Sequence, residues 1–258
     1  MLAMKQNPLG LQNFGNTCYV NSIVQMLRYV KPVVKPLVEV ESENPAVQSF
    51  IDLLYQGSNP RKFVRHLKDL GFDPLYQHDA HEFLLTMLDK IYEDPTCKDI
   101  KNPFEGHFES TLTCKNGHQS VSKEPFCCLS LNGGIRDGLA ELEEPETVTC
   151  KCDECNETEM IKTVTVHPAK VICVQFKRFN LDGKLTYKVG IPEDWFGYKL
   201  VGLVNHMGSC HGGHYTACAN AEGQWKHFND TEVQNIDGLP SRSRVPYLMV
   251  FVADKCTL

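Results

Sequence analysis

The spacing of apolar residues changes once along this chain, and that change constrains the fold more than any other feature. Up to about residue 95 apolar side chains recur at helical intervals: Val20, Ile23, Val24, Leu27 and Val30 in one run, Phe83, Leu84, Met87, Leu88 and Ile91 in another. Thr17 is placed to cap the first of these helices, over 17–30, and Asp79 the last. Between them the pattern predicts helices over about 46–55 and 63–70, with Pro32, Pro36 and Pro45 as punctuation. From about Pro103 the period falls to two, as in Phe108-Glu109-Ser110-Thr111-Leu112-Thr113. Strands are predicted within 104–131 and over 163–166, 170–176, 198–205, 214–219 and 247–252. A Gly- and Glu-rich connection with some helix is expected over 132–147. Helices first and strands second is an α+β order. A chain of 258 residues buries roughly three-quarters of its unfolded surface without help from disulfides.

Hydrophobic residues at 42% and charged residues at 22% argue against disorder. No stretch approaches the ~18 uncharged apolar residues of a membrane span. Lys5, Gln6, Asn7 and Pro8 stand where a signal peptide needs an apolar run, so an intracellular location, cytoplasm and/or nucleus, is expected. A net charge of −6 removes the electrostatic footing of nucleic-acid binding and favours a partner with a basic surface. In a reducing compartment the twelve cysteines point to metal where they cluster, and to packing or catalysis where they stand alone.

Cys18 stands alone, in the first turn of a predicted helix, where the helix dipole favours thiolate. The polar loop Asn13-Phe14-Gly15-Asn16-Thr17 before it is suited to aiming an amide and backbone N–H groups at a developing oxyanion. From this feature alone the plainer reading of Cys18 is a small residue packed at a helix start. Near the other end, Gly212-Gly213-His214-Tyr215 lets the chain bend and leaves the imidazole uncovered. A turn over 220–224 would return the chain so that Asn229 or Asp230 meets His214, fixing its tautomer through the Nδ1 hydrogen. Gln77-His78-Asp79-Ala80-His81-Glu82-Phe83 reads as a capping box, and Asp79 and Glu82 also offer acceptors to a basic peptide. Cys152-Asp153-Glu154-Cys155 is a metal knuckle. Its partner pair, Cys114 and His118, is imperfect, because Gly117 occupies the position where a second Cys-X-X-Cys would place sulfur.

Gly10-Leu11-Gln12-Asn13-Phe14-Gly15-Asn16-Thr17-Cys18-Tyr19-Val20-Asn21-Ser22 resembles the cysteine box of the ubiquitin-specific proteases, the papain-like deubiquitinases. Residues 77–83 resemble a second segment of that family, Cys173-Val174-Gln175-Phe176-Lys177-Arg178-Phe179 a third, and 206–215 with 223–233 its histidine box. The resemblance implies one catalytic domain shaped like a right hand: a helical thumb to about 103, β fingers over about 104–172, and a β palm over about 173–258. It places the nucleophile at Cys18, the general base at His214, the third member at Asn229 with Asp230 in support, and the oxyanion amide at Asn13. Gln77, Asp79 and Glu82 fall where the family meets the C-terminal tail of ubiquitin, with His206 and Tyr215 lining the channel. Cys114, His118, Cys152 and Cys155 would hold a structural zinc, and no catalytic cofactor is implied. The expected partners are ubiquitin and ubiquitinated proteins, with room for an activating protein, and neither nucleic acid nor membrane. A protease for a ubiquitin-like modifier and a non-catalytic ubiquitin-binding scaffold are the rival readings.

Overall fold

The computed structural model describes residues 10–56, 59–180, 183–209 and 212–254. The terminal reading at residues 1–9, and Cys210 and Cys256, lie outside it. Helices come first: α1 (Cys18–Leu27), α2 (Lys31–Leu37), α3 (Pro45–Gln56), α4 (Arg61–Val64) and α5 (Ala80–Tyr92), then a single 3-10 turn at Pro95–Cys97. Every residue of α1 is buried, Asn21, Ser22 and Gln25 included, so it is the central helix rather than a surface one. α3 and α5 pack on one side of it and strands on the other.

Two local expectations are corrected. Thr17 precedes α1 but makes no side-chain cap; its hydroxyl accepts from Phe14 N–H at 2.9 Å and donates to Asn13 Oδ1 at 3.2 Å. The segment read as proline punctuation forms α2, because Pro32 lies in the first turn, where a backbone N–H has no helical partner anyway. Asp79 does cap α5, accepting from His81 and Glu82 N–H at 2.7 and 3.0 Å.

The β half opens with β1 (Gly106–Cys114), β2 (Gln119–Phe126) and β3 (Leu129–Leu131). After α6 (Ile135–Glu143) come β4 (Glu146–Thr149), β5 (Glu159–His167) and β6 (Val171–Phe176). Two short hairpin strands, β7 (Phe179–Asn180) and β8 (Gly183–Lys184), precede β9 (Val189–Gly190) and β10 (Asp194–Trp195). The long strands β11 (Tyr198–Ser209) and β12 (Gly212–Ala221) follow, then β13 (Gln224–Asn229), β14 (Glu232–Asn235), β15 (Arg242–Ser243) and β16 (Pro246–Ala253). One sheet runs β2-β1-β5-β4; the larger runs β14-β13-β12-β11-β16-β6-β3, with β10 beside β11.

The central strands β6 and β16 of the larger sheet are buried on both faces. Along β16, Leu248, Val250 and Val252 join the core shared with the helices, while Met249 and Phe251 join a second core with Leu129, Leu131, Ile135 and Phe176. That two-sided burial is why 247–252 reads as an unbroken apolar run. The first core packs α1 directly onto β11 and β12, bringing the start of the chain against its later strands.

Candidate functional site

Cys18 is the first residue of α1 and 4% exposed. The backbone N–H of Tyr215, the residue after His214, acts on its sulfur and favours the thiolate. Among the described residues the thiol and the imidazole make no direct hydrogen bond. Burial pushes the Cys18 thiol above its ordinary value and the Asp230 carboxylate adds to the rise; the N–H groups of Tyr215, Tyr19 and Cys18 itself pull the other way. The expected thiolate bias is therefore reversed: desolvation and a nearby carboxylate outweigh the N–H donors at the helix start.

His214 lies in β12, half-buried, and its Nε2 is 2.6 Å from Asn229 Oδ1. β12 and β13 pair through Ala217 and Phe228 across a tight turn, so Asn229 is the diagonal neighbour of His214 on the same face. The amide oxygen can only accept, so Nε2 carries the hydrogen and Nδ1 keeps its lone pair. The ring is thus held through Nε2, not through the expected Nδ1 hydrogen.

Asp230 makes a different set of bonds. One carboxylate oxygen accepts from Asn13 Nδ2 at 3.0 Å and the other from Asn21 Nδ2 at 2.8 Å, while its carbonyl accepts from Leu11 N–H at 2.7 Å. Asn13 Oδ1 in turn accepts from Thr17 N–H at 3.0 Å. One carboxylate near the chain's end therefore fixes the loop ahead of Cys18 and the second turn of α1. Asn21, which sequence reasoning missed, is buried and also reaches the carbonyls of Leu11 and Gln12. A buried amide at a helical core position was the available signal.

Gln77 grips the backbone of Gly213: its Nε2 donates to the carbonyl at 2.8 Å and its Oε1 accepts from the N–H at 2.6 Å. Gly213 is required because a Cβ there would sit 2.2 Å from His206 Nε2. Gly213 serves this close approach, and both glycines lie within β12. His206 and Tyr215 face each other across β11 and β12, 4% and 6% exposed, with rings 4.6 Å apart; both are buried in this structure. Burial drives His206 down to about 4, helped by Lys184 and opposed by Asp79. Asp79 spends its second oxygen on the Tyr247 hydroxyl at 2.5 Å, and that hydroxyl accepts from Gln175 at 2.9 Å. Tyr247 too was missed; its place in an apolar run concealed its polar end. Glu82 is exposed at the start of α5.

The four proposed metal ligands converge, their donor atoms all lying within 4.8 Å of one another. Cys114 Sγ is 3.6 Å from His118 Nδ1 and 3.7 Å from Cys155 Sγ, and Cys152 Sγ is 3.8 Å from His118 Nδ1. Bonds of about 2.3 Å to sulfur and 2.0 Å to nitrogen give a zinc tetrahedron with edges of about 3.8 and 3.6 Å. The residues fit zinc. The offset first pair works because Gly117, at φ +86°, turns the chain so that the longer imidazole reaches where a fourth sulfur would stand. The Asn116 amide, then the Glu157 N–H, hold the Cys155 thiol down at about 6, the state a metal needs.

The profile of the family described as "Ubiquitin carboxyl-terminal hydrolase" matches residues 9–251. Human "Ubiquitin carboxyl-terminal hydrolase 17-like protein 13" is 28% identical over 295 residues, covering 94% of this chain and 55% of that protein. The human 17-like protein 6 is also 28% identical, with 74% of its length covered. The chain thus spans about half the length of most of the curated relatives it matches. Among solved structures, the SAGA DUB module Ubp8/Sgf11/Sus1/Sgf73 bound to monoubiquitin matches with a TM-score of 0.81 at 23% identity, over 98% of this chain and 70% of that one. The same module bound to ubiquitin aldehyde gives a TM-score of 0.81 at 22% identity. The fold is the α+β, papain-like one that the resemblance implies. Matched over nearly its whole length, this chain belongs to the ubiquitin carboxyl-terminal hydrolase family.

Proposed function

We propose that the chain is a cysteine-dependent deubiquitinase that hydrolyses the peptide or isopeptide bond after the C-terminal Gly-Gly of ubiquitin. The observation that carries this reading is the packing of α1 on β12, which sets the Cys18 sulfur where the Tyr215 N–H favours its thiolate, one residue along the chain from His214 and its hydrogen bond to Asn229. In this reading helices up to about 103 form the thumb, 104–172 the fingers and 173–258 the palm. Zinc held by Cys114, His118, Cys152 and Cys155 would join two finger loops and take no part in the chemistry.

His214 Nδ1 takes the Cys18 proton, and the sulfur adds to the carbonyl carbon of the terminal glycine. The carbonyl oxygen becomes an oxyanion, met by the Cys18 N–H and by the Asn13 amide hydrogen not given to Asp230. His214 returns its proton to the leaving amine, the carbonyl re-forms as a thioester, and water activated by His214 releases the ubiquitin carboxylate and regenerates the thiol. Asn229 holds the imidazole throughout. Gln77 acts by holding Gly213, the residue before His214, and Asp79 by capping α5 and anchoring Tyr247. Reduced thiols at Cys18 and the knuckle suit an intracellular setting.

Steady-state hydrolysis of a ubiquitin C-terminal fluorogenic amide, beside the same amide of ubiquitin-like modifiers, tests the proposal. Turnover of ubiquitin amide alone supports it; turnover only of a modifier, or of nothing, overturns it. A second reading rests on the raised Cys18 thiol and the absence of a direct bond to His214. The site in this form is at rest, and substrate or an activating protein draws thiol and imidazole together. The Ubp8 module, crystallised with Sgf11, Sus1 and Sgf73, is the precedent. A rise in kcat on adding a partner, with KM unchanged, marks that case.

A further inference from the structure

At the opposite end of β1 from the cysteine knuckle, a second group of donors comes together. His107 on β1 stands directly opposite His167 on β5, and Glu109 lies two residues further along the same face. One donor atom from each residue falls within 4.8 Å of the others. The two imidazoles stack 4.6 Å apart at 7°, and the Nε2 of each is buried with no hydrogen-bond partner among the described residues. Buried ring nitrogens are ordinarily satisfied, so two orphans facing each other beside a carboxylate call for an explanation. Glu109 is engaged by Lys123 across β2, at 3.1 Å.

We infer that His107, His167 and Glu109 form a second divalent-metal site, for zinc or a similar nitrogen-preferring ion, bridging β1 and β5. Two imidazoles and a carboxylate are a donor set such ions accept, with a fourth position left for water. A tetrahedral ion with bonds of about 2.0–2.1 Å needs donors about 3.3 Å apart, so loading splays the stack slightly and draws Glu109 off Lys123. The site is separate from the knuckle, because the seven residue steps from His107 to Cys114 span about 23 Å of strand. Its effect would be to lock the root of the finger sheet, as the knuckle locks its tip.

Zinc chloride titrated calorimetrically into the full chain as Cys18→Ala, so that the catalytic thiol does not bind metal, reads the number of sites. Two equivalents are expected, the weaker lost or weakened about tenfold or more in His107→Gln, His167→Gln and Glu109→Gln, with the tighter unchanged. Lys123→Met, which frees Glu109, tightens the weaker site about threefold. Glu109→Gln leaves both rings in place and so keeps the test intact if a histidine variant fails to fold. One equivalent only, or a second unaffected by Glu109→Gln and Lys123→Met, overturns the assignment and leaves a simple imidazole stack.

Discussion

Two cysteine-bearing regions of this molecule are built in opposite ways. At the start of α1 the thiol of Cys18 is buried, pushed up, and surrounded by bonds between residues more than two hundred apart in sequence, such as Asn13 to Asp230 and Asn21 to Asp230. At the knuckle the thiols come from two loops outside the main cores, and Cys155 is pulled down to about 6 by the Asn116 amide and the Glu157 N–H. The first arrangement needs the whole fold before it exists, whereas the second needs two loops and an ion. A buried thiol held above its ordinary value and a half-buried one held below it are thus products of burial and hydrogen bonding rather than of residue type.

The sharpest way to break that contrast is Cys18→Ala. Hydrolysis of a ubiquitin C-terminal amide should fall to background while ubiquitin binding and zinc content hold; persistent turnover would remove Cys18 from the chemistry. Next in size is Cys152→Ser. One zinc per chain should be lost, measured by inductively coupled plasma mass spectrometry, with a lower Tm. kcat should stay within about threefold, because the knuckle forms a cluster of its own, apart from the core that holds Cys18. A collapse of kcat would show that the two regions are coupled.

The sequence made the pairing of β12 with β13 legible because a turn between two short apolar runs fixes register: Asn229 and Asp230 could both be placed near His214. It could not divide the roles, since adjacent residues on a strand face opposite ways and only the rung tells which side the imidazole takes. The knuckle was legible at Cys152 and Cys155 from spacing alone. Cys114 and His118 were legible as its partners too, but not how the offset pair closes the site, because the reach of His118 depends on Gly117 at positive φ. The rise in the Cys18 thiol was hidden for another reason: a helix start is visible in sequence, but burial by α1's neighbours and the approach of Asp230 are not.

That division of roles gives the next test. Asn229→Asp keeps an acceptor for His214 Nε2–H and should retain most activity, while Asn229→Ala should cost about 10- to 100-fold in kcat/KM. Asp230→Asn replaces one of two accepting oxygens with a donor facing the amide of Asn13 or Asn21, at a cost of about 1–3 kcal/mol. It should lower Tm and activity together, where Asn229→Ala lowers activity alone. If Asp230→Asn were silent and Asn229→Asp dead, the assignments would be exchanged.

The smallest effect isolates one buried ring on β11, opposite Tyr215. His206 has a folded value of about 4 against 6.5 for the free imidazole, driven down first by burial and then by Lys184. Between those values the unfolded chain binds more protons than the folded one, so acid favours unfolding. The contribution is fully present above about pH 6.5 and drains away as pH falls toward 4, by at most about 3 kcal/mol. His206→Asn has nothing to titrate, so its unfolding free energy, measured in urea at pH 4.5 and 7, should fall less on acidification than that of the parent. Equal slopes would mean that the ring is solvated and protonates freely, and that the strands behind His214 are looser than their packing implies. A flattened slope would show that the sheet is rigid one layer below His214 and Asn229, as a site assembled by the whole fold requires.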